Sequence, residues 1–388
     1  MAVDLLLKYS KKYEKKAFAL NYQIANDPEL SGQEYHACAA YAALCRSLGM
    51  EVTEHVANEP TAFKAVVRCV EKPVMKIALL AEYDALPGVG HGCGHSASGA
   101  ISFLAAAALQ HMDIPVDIDL LGTPDEELHG GKVGMCEENV FKAYDLAVMI
   151  HMSPNKTTSN SHFLALDDYR IAFHGQTAHA ASEPWNGRNA LNGAVLAMHA
   201  IDMLRQHVRP ETRIGVYMVQ GGTASNIIPD YAELECCIRH TERAYLDTVV
   251  AKIMKCFEGA AIATDTTYDV RQVGYKFDNM IWNQAATQAV ETVLDEMNIP
   301  YQNTNDCGSS DIGNVSHQCP ALHLHLAMGT TACPEHSVQI ANMVKSPSIE
   351  NTIRQGAEIM GRLVLKLAAE EPLRRAIREE FLRHQDIR

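Results

Sequence analysis

His91-Gly92-Cys93-Gly94-His95 concentrates more potential chemistry than any other five residues of this chain. Glycines on both sides of Cys93 let the backbone turn sharply and bring the flanking side chains round one point. A thiolate and an imidazole so placed are borderline-soft ligands, suited to zinc or a similar first-row divalent ion. A lone Cys-X-His is more often a small buried cysteine in a glycine turn, but here more residues of ligand type follow. Glu126-Glu127 comes directly after the apolar run 116–121 and before Gly130-Gly131. Neighbouring side chains on an extended backbone point in opposite directions, so one glutamate suits metal while the other faces substrate. His151 ends another apolar run, and His336 lies in the polar stretch Cys333-Pro334-Glu335-His336-Ser337. Each is weak alone. Cys93, His95, one glutamate, His151 and His336 together exceed the tetrahedral shell of a single ion and suit two ions sharing a bridging water.

The elements that must position these residues read as α/β. A helix over 3–24 is broken at Asp27-Pro28, and Ser31-Gly32-Gln33-Glu34 has capping-box spacing for a second helix that closes near Gly49. Strand-like runs follow at 51–56, 61–69 and 76–81, then an alanine-rich helix from Gly99 to Leu109, a strand at 116–121, a short helix at 133–141 and a strand at 145–150. Three of these β-segments end in Glu82/Asp84, Glu126/Glu127 and His151. Open α/β sheets bind ligands beyond the carboxyl ends of their strands, and those residues fall there. Between Asp168 and Asp278 the order becomes β-α-β-β-α-β, a split βαβ able to form its own two-layer unit. Within it, Val216-Tyr217-Met218-Val219 reads as an edge strand suited to pairing across a dimer. The α/β pattern resumes at Ile281, so the smaller unit is inserted into the larger. The expected division is 1–167 and 281–388 for the larger domain and 168–280 for the insert.

Composition narrows the functional classes. With 388 residues the chain is long enough for two domains, and 33 Lys plus Arg against 47 Asp plus Glu give a formal charge of −14. That balance argues against a nucleic-acid or anionic-membrane surface, though a local cationic pocket still admits an anionic small molecule. The eleven cysteines show no paired spacing, the N-terminus lacks the apolar core of a signal peptide, and no apolar run approaches membrane-spanning length. A reduced, cytoplasmic protein is expected.

Glu82-Tyr83-Asp84-Ala85-Leu86-Pro87-Gly88 followed by the Cys93 turn resembles the dinuclear metal motif of the aminoacylase/carboxypeptidase metallopeptidases. The similar branch holds p-aminobenzoyl-glutamate hydrolase, the hippurate and auxin-conjugate amidohydrolases and the aminoacylase-1-like dipeptidases. The match covers nearly the whole chain, through Asn26 to Gly32, Thr123 to Glu127, His174 to Ala180, Gly221 to Asp230 and Gly308 to Ser316. It implies a mixed-sheet, zinc-peptidase-like catalytic domain with helices on both faces, plus an inserted ferredoxin-like lid through which two chains form a homodimer. It also implies two divalent ions per chain, zinc or manganese, held by Cys93, His95, Glu127, His151 and His336. Glu126 becomes the general base, His179 and Asn226 reach the partner's active site, and Arg239 holds a substrate carboxylate. Two residues depart from the pattern: Ser96 stands where relatives carry Asn or Asp, and Leu128-His129 where they carry small residues.

The expected activity is hydrolysis of an N-acyl amino acid or dipeptide by metal-activated water, with Glu126 passing the proton to the leaving amine. A p-aminobenzoyl-glutamate-type hydrolase is the alternative within the class. Outside it stand a metal-binding dimer that has lost catalysis, against which the retained Glu126 speaks, and a cysteine hydrolase using Cys93, which a chelator would leave active.

Overall fold

The computed structural model describes residues 1–303 and 308–386 and divides into two units, 1–162 with 280–388, and 163–279. The larger unit begins with α1 (Ala2–Asn26), α2 (Tyr35–Ser47), β1 (Glu51–Glu54), β2 (Phe63–Arg68) and β3 (Met75–Ala81). It continues through α3 (His95–Leu109), β4 (Val116–Gly122), α4 (Gly131–Glu137) and β5 (Leu146–Ser153). The inserted unit runs β6 (Ala165–His174), α5 (Ala190–Leu204), β7 (Arg213–Gln220), β8 (Tyr231–His240), α6 (Arg243–Ala263), β9 (Thr267–Gln272). The chain then returns to the larger unit with α7 (Gln284–Glu296), α8 (Ile312–Ser316), β10 (Ala321–Ala327), α9 (Val338–Met343), α10 (Ile349–Ala369) and α11 (Glu371–Asp386).

The larger unit is built on a mixed six-stranded sheet in the order β1-β2-β4-β3-β5-β10. β1, β2 and β4 pair antiparallel in turn, whereas β4, β3, β5 and β10 run parallel. The parallel strands are nearly continuous apolar runs because both of their faces are covered. α3 is buried along its whole length, packed against β2 to β5 and against α1 and α10. Small residues allow that approach: a Cβ on Gly99 would lie 2.5 Å from the Glu82 carbonyl oxygen. The connection leaving β3 leads to β4 on one side, and β5 leads on to β10 on the other. The carboxyl ends of β3 and β5 therefore flank a topological switch point, the place where such sheets open a crevice.

The expected capping box does not form. Ser31 Oγ donates instead to Asp84 Oδ2 (2.8 Å), and Glu34 is itself the residue preceding α2, its carboxylate accepting from Gly32 N, Thr61 Oγ1 and Asp125 N. Glu29 takes over the first turn of α2, accepting from His36 N (2.9 Å) and Ala37 N (2.8 Å). The long-range partners outcompete the local ones because buried polar atoms must be satisfied somewhere.

The inserted unit has a four-stranded antiparallel sheet, β7-β8-β6-β9, with β7 at one edge. Alternate residues of β8 are buried, as one covered face requires, under α5 and α6. No helix among the described residues is long and apolar enough to cross a membrane.

Candidate metal centre

Three neighbouring parallel strands, β4, β3 and β5, deliver the polar residues at their carboxyl ends. Glu82 and Asp84 follow β3 two residues apart, a spacing that puts extended side chains on one side. Asp84 ties three segments together. Its Oδ1 accepts the Nδ1–H of His95 (2.7 Å), and its Oδ2 accepts Ser31 Oγ–H and the backbone N–H of Glu127 (2.9 Å). His95 is the first residue of α3, entered through Gly94 at φ +86°; a Cβ there would also lie 2.5 Å from Met152 Cβ. The turn therefore needs glycine for conformation and for space.

With Nδ1 engaged, His95 turns Nε2 inward, 3.3 Å from Glu82 Oε2 and 3.7 Å from Glu127 Oε1. Donor atoms of Cys93, His95 and Glu127 lie within 4.8 Å of one another, as do those of Glu82, His95 and His151, so His95 belongs to both groups. Glu82 Oε2 and His95 Nε2 are buried without a hydrogen-bond partner. Two orphaned polar atoms among thiol, imidazole and carboxylate donors are what a divalent ion satisfies, so the residues present fit the metals the resemblance implies. His151 gives Nδ1–H to its neighbour's carbonyl, Met152 O (2.8 Å), which leaves Nε2 as the nitrogen able to bind a metal. His336 stands at the rim, 63% exposed, with φ +55° and Nε2 4.0 Å from Glu127 Oε2.

The field here is strongly negative. Burial and then Glu127, Glu82 and Asp311 push the carboxyl of Glu126 well above the usual range. Burial, then Glu127, pushes the Cys93 thiol up, so thiolate at this place needs a cation beside it. Burial alone would depress His95, but Asp84, Glu82 and Glu127 outweigh it and hold its proton affinity well above the ordinary imidazole value. Asp125, directly before the glutamate pair, sits at φ +59°, a strained conformation held by its N–H to Glu34 Oε1 (2.9 Å).

Of the departing residues, Ser96 Oγ donates to Asn21 Oδ1 (3.0 Å), joining α3 to α1. His129 pairs with Asp125 Oδ2 (2.8 Å) and belongs to none of the donor groups among the described residues. His179, Asn226 and Arg239 belong to the inserted unit. His179 and Asn226 are exposed neighbours: His179 bridges to Ile227, and Ala180 N donates to Asn226 O (3.0 Å). His179 Nδ1 accepts from Ala181 N (3.2 Å) and Ser182 N (3.1 Å), so the neutral ring carries its proton on Nε2. Arg239 lines a cavity of about 400 Å³ with Arg205 and Arg213.

Sequence reasoning missed several residues of this centre. Lys132, fully buried, donates to Glu82 Oε1 (2.5 Å) and Asp311 Oδ1 (2.7 Å). His323 and His325 of β10 face His151, with ring centroids 5.4 and 5.2 Å from it. Only the alternation His323-Leu324-His325 on a strand hinted at two imidazoles, and it gave no partner.

Residues 165–265 match a peptidase dimerisation domain. Over 94% of its length the chain is 31% identical to the Xaa-Arg dipeptidase of Mus musculus, covering 88% of that protein. Over 94% of its length it is also 27% identical to a component of the p-aminobenzoyl-glutamate hydrolase of Escherichia coli, covering 91% of it. A dinuclear metal-binding peptidase of the M20 family from Bacillus subtilis shares the fold, with a TM-score of 0.71 at 17% identity over 92% of this chain and 99% of that one.

Proposed function

The chain belongs to the M20 family of peptidases, and from that premise we propose that it hydrolyses the amide bond of a dipeptide or N-acyl amino acid bearing a free carboxylate. The observation that carries this reading is His95, whose inward nitrogen is shared by two groups of donors beside Glu126. Cys93, His95, Glu127, His151 and His336 would hold two zinc or manganese ions. When bound, such ions supply Lewis acidity toward a carbonyl and make water a nucleophile near neutral pH. Glu126, with a proton affinity raised first by burial and then by Glu127, takes a proton from water and returns it to the leaving amine. His179 offers Nε2–H to the developing oxyanion, with Asn226 beside it, in the site of a partner subunit. Arg239 holds the substrate carboxylate as a bidentate partner.

Xaa-Arg dipeptides are the leading substrates to test, and p-aminobenzoyl-glutamate-type amides the second, each supported by likeness to a relative so named. We assign a cytoplasmic homodimer joined through the inserted unit. The dimerisation-domain match supports the dimer, and a ligand-type thiol such as Cys93, which works only when reduced, supports the compartment. Elemental analysis of active protein is expected to find two divalent ions per chain, with activity lost to chelator. Glu126→Gln should keep the metals and lose about 10²–10⁴-fold in turnover. Active protein without transition metal overturns the reading, and near-wild-type turnover in Glu126→Gln assigns the base elsewhere.

A further inference from the structure

Glu82 directly follows β3 and is fully buried, and its two carboxylate oxygens have different surroundings. Oε1 accepts from Lys132 Nζ at 2.5 Å. Lys132 is itself anchored twice to the buried Asp311, through Nζ to Oδ1 (2.7 Å) and through its backbone N–H to Oδ2 (2.9 Å). This chain of contacts fixes the Glu82 rotamer. Oε2 has no hydrogen-bond partner and lies 3.3 Å from His95 Nε2, which has none either. Because His95 gives Nδ1–H to Asp84, Nε2 is the ring atom turned toward Glu82, and it offers a lone pair whenever a metal ion takes the place of its proton. Oε2 and Nε2 thus face each other across a gap with no solvent access, and His151 completes a group whose donor atoms lie within 4.8 Å of one another. A proton on His95 or a metal ion can fill that gap, and the excess of buried negative charge around it favours the ion of higher charge. The surroundings hold five carboxylates, Glu82, Asp84, Glu126, Glu127 and Asp311, against the one ammonium of Lys132.

We propose that Glu82 is a metal-ligating residue of the centre, sharing an ion with His95 and His151, and that Lys132, anchored by Asp311, is the positioning residue that presents its free oxygen. The proposal rests on the reading of the site as a metal centre and adds a sixth protein ligand to the five inferred from the sequence. Lys132 would serve Glu82 as hydrogen-bonded partners serve other ligating carboxylates, by fixing orientation and saturating the oxygen that does not bind metal.

Metal-free wild type, Glu82→Gln and Glu82→Asp are titrated with cobalt(II), following the visible d–d bands, with affinities taken from chelator competition. Wild type should bind two ions. Both variants should hold one of them at least about 10–100-fold more weakly, with an altered spectrum. The Asp variant keeps a negative charge beside Lys132 but draws the carboxylate back by one methylene, so it reports even where the Gln variant fails to fold. Two ions bound by Glu82→Asp with wild-type affinity and spectrum would leave Glu82 as a mere ion-pair partner of Lys132, overturning this proposal while sparing the proposed function. A wild type that binds no cobalt removes both.

Discussion

The polar residues at the carboxyl ends of β3, β4 and β5 stand at the end of a sheet covered on both faces, whereas His179 and Asn226 stand at exposed positions of a unit whose sheet has one covered face. Asp84, His95, Lys132 and Asp311 are all but inaccessible to solvent, and each touches at least one other of this group or Glu82. The exposed side chains of His179 and Asn226 can be changed with little effect on their neighbours. In the buried network each member satisfies another, so one loss strands several, and in low dielectric that is expensive. The contrast explains why the buried positioning contacts are concentrated in the larger unit, and it suits the proposed role of the exposed His179 and Asn226 toward a partner.

The largest effect that tests this contrast is on stability. Lys132→Met leaves Glu82 and Asp311 buried without their cation, and about 3–5 kcal/mol should be lost. Arg243→Met in the inserted unit removes the 2.6 Å partner of buried Asp167, but Lys276 stays 3.4 Å from that carboxylate and Tyr169 still donates to it. The loss there should be about 1–3 kcal/mol. Urea unfolding of the metal-free proteins checks the pair, and equal losses would end the distinction between the two kinds of charge.

Next in size is the activity of mixed dimers. Glu126→Ala and His179→Ala should each lose at least about 100-fold alone, through loss of the base and of an oxyanion donor. In a dimer of one of each, one site carries both defects while the other keeps its own Glu126 and its partner's His179. Random reassortment makes about half the dimers mixed, so roughly a quarter of wild-type activity should return. No recovery, with exchange confirmed by differently tagged chains, would put His179 in its own subunit's site or outside catalysis.

Strand ends were legible where chemistry and periodicity coincided: apolar runs of strand length stop at Glu82, near Glu126 and at His151, and glycines flank Cys93. What stayed hidden was contact between segments distant in sequence. Lys132 and Asp311 are 179 residues apart, and neither carries a local signal of its partner. The capping-box expectation failed for the same reason: Ser31 and Glu34 have the right spacing, but Asp84 and Thr61 reach them from elsewhere. His325 lies opposite His151 in the parallel register of β10 and β5, and strand order is set by tertiary packing rather than by any residue in either strand.

The smallest effect makes the same substitution in both units. Asn189 caps α5 of the inserted unit, its side chain accepting from Asn192 N at 3.2 Å. Asn283 caps α7 of the larger unit, accepting from Ala286 N at 2.9 Å, but it is buried and also donates to Ile377 O at 2.9 Å. Removing an asparagine cap costs about 1 kcal/mol, which should be the whole effect of Asn189→Ala. Asn283→Ala also removes a second, buried hydrogen bond, to a carbonyl that keeps its helical partner within α11, and should cost about 0.5–1.5 kcal/mol more. Asn283→Ser separates the two contributions, because serine caps about as well as asparagine but does not reach Ile377. The chain's two tryptophans fall one in each unit, and Trp282 stacks on His162 with centroids 4.0 Å apart, so its fluorescence follows unfolding of the larger unit beside the altered cap. Hydrogen exchange of the α5 amides follows the inserted unit. Asn283→Ser should recover the cap and remain less stable than wild type by the worth of the lost bond to Ile377. Full recovery by serine would mean the Ile377 bond contributes nothing, and that the larger unit tolerates a broken buried contact as readily as the insert tolerates a lost exposed one.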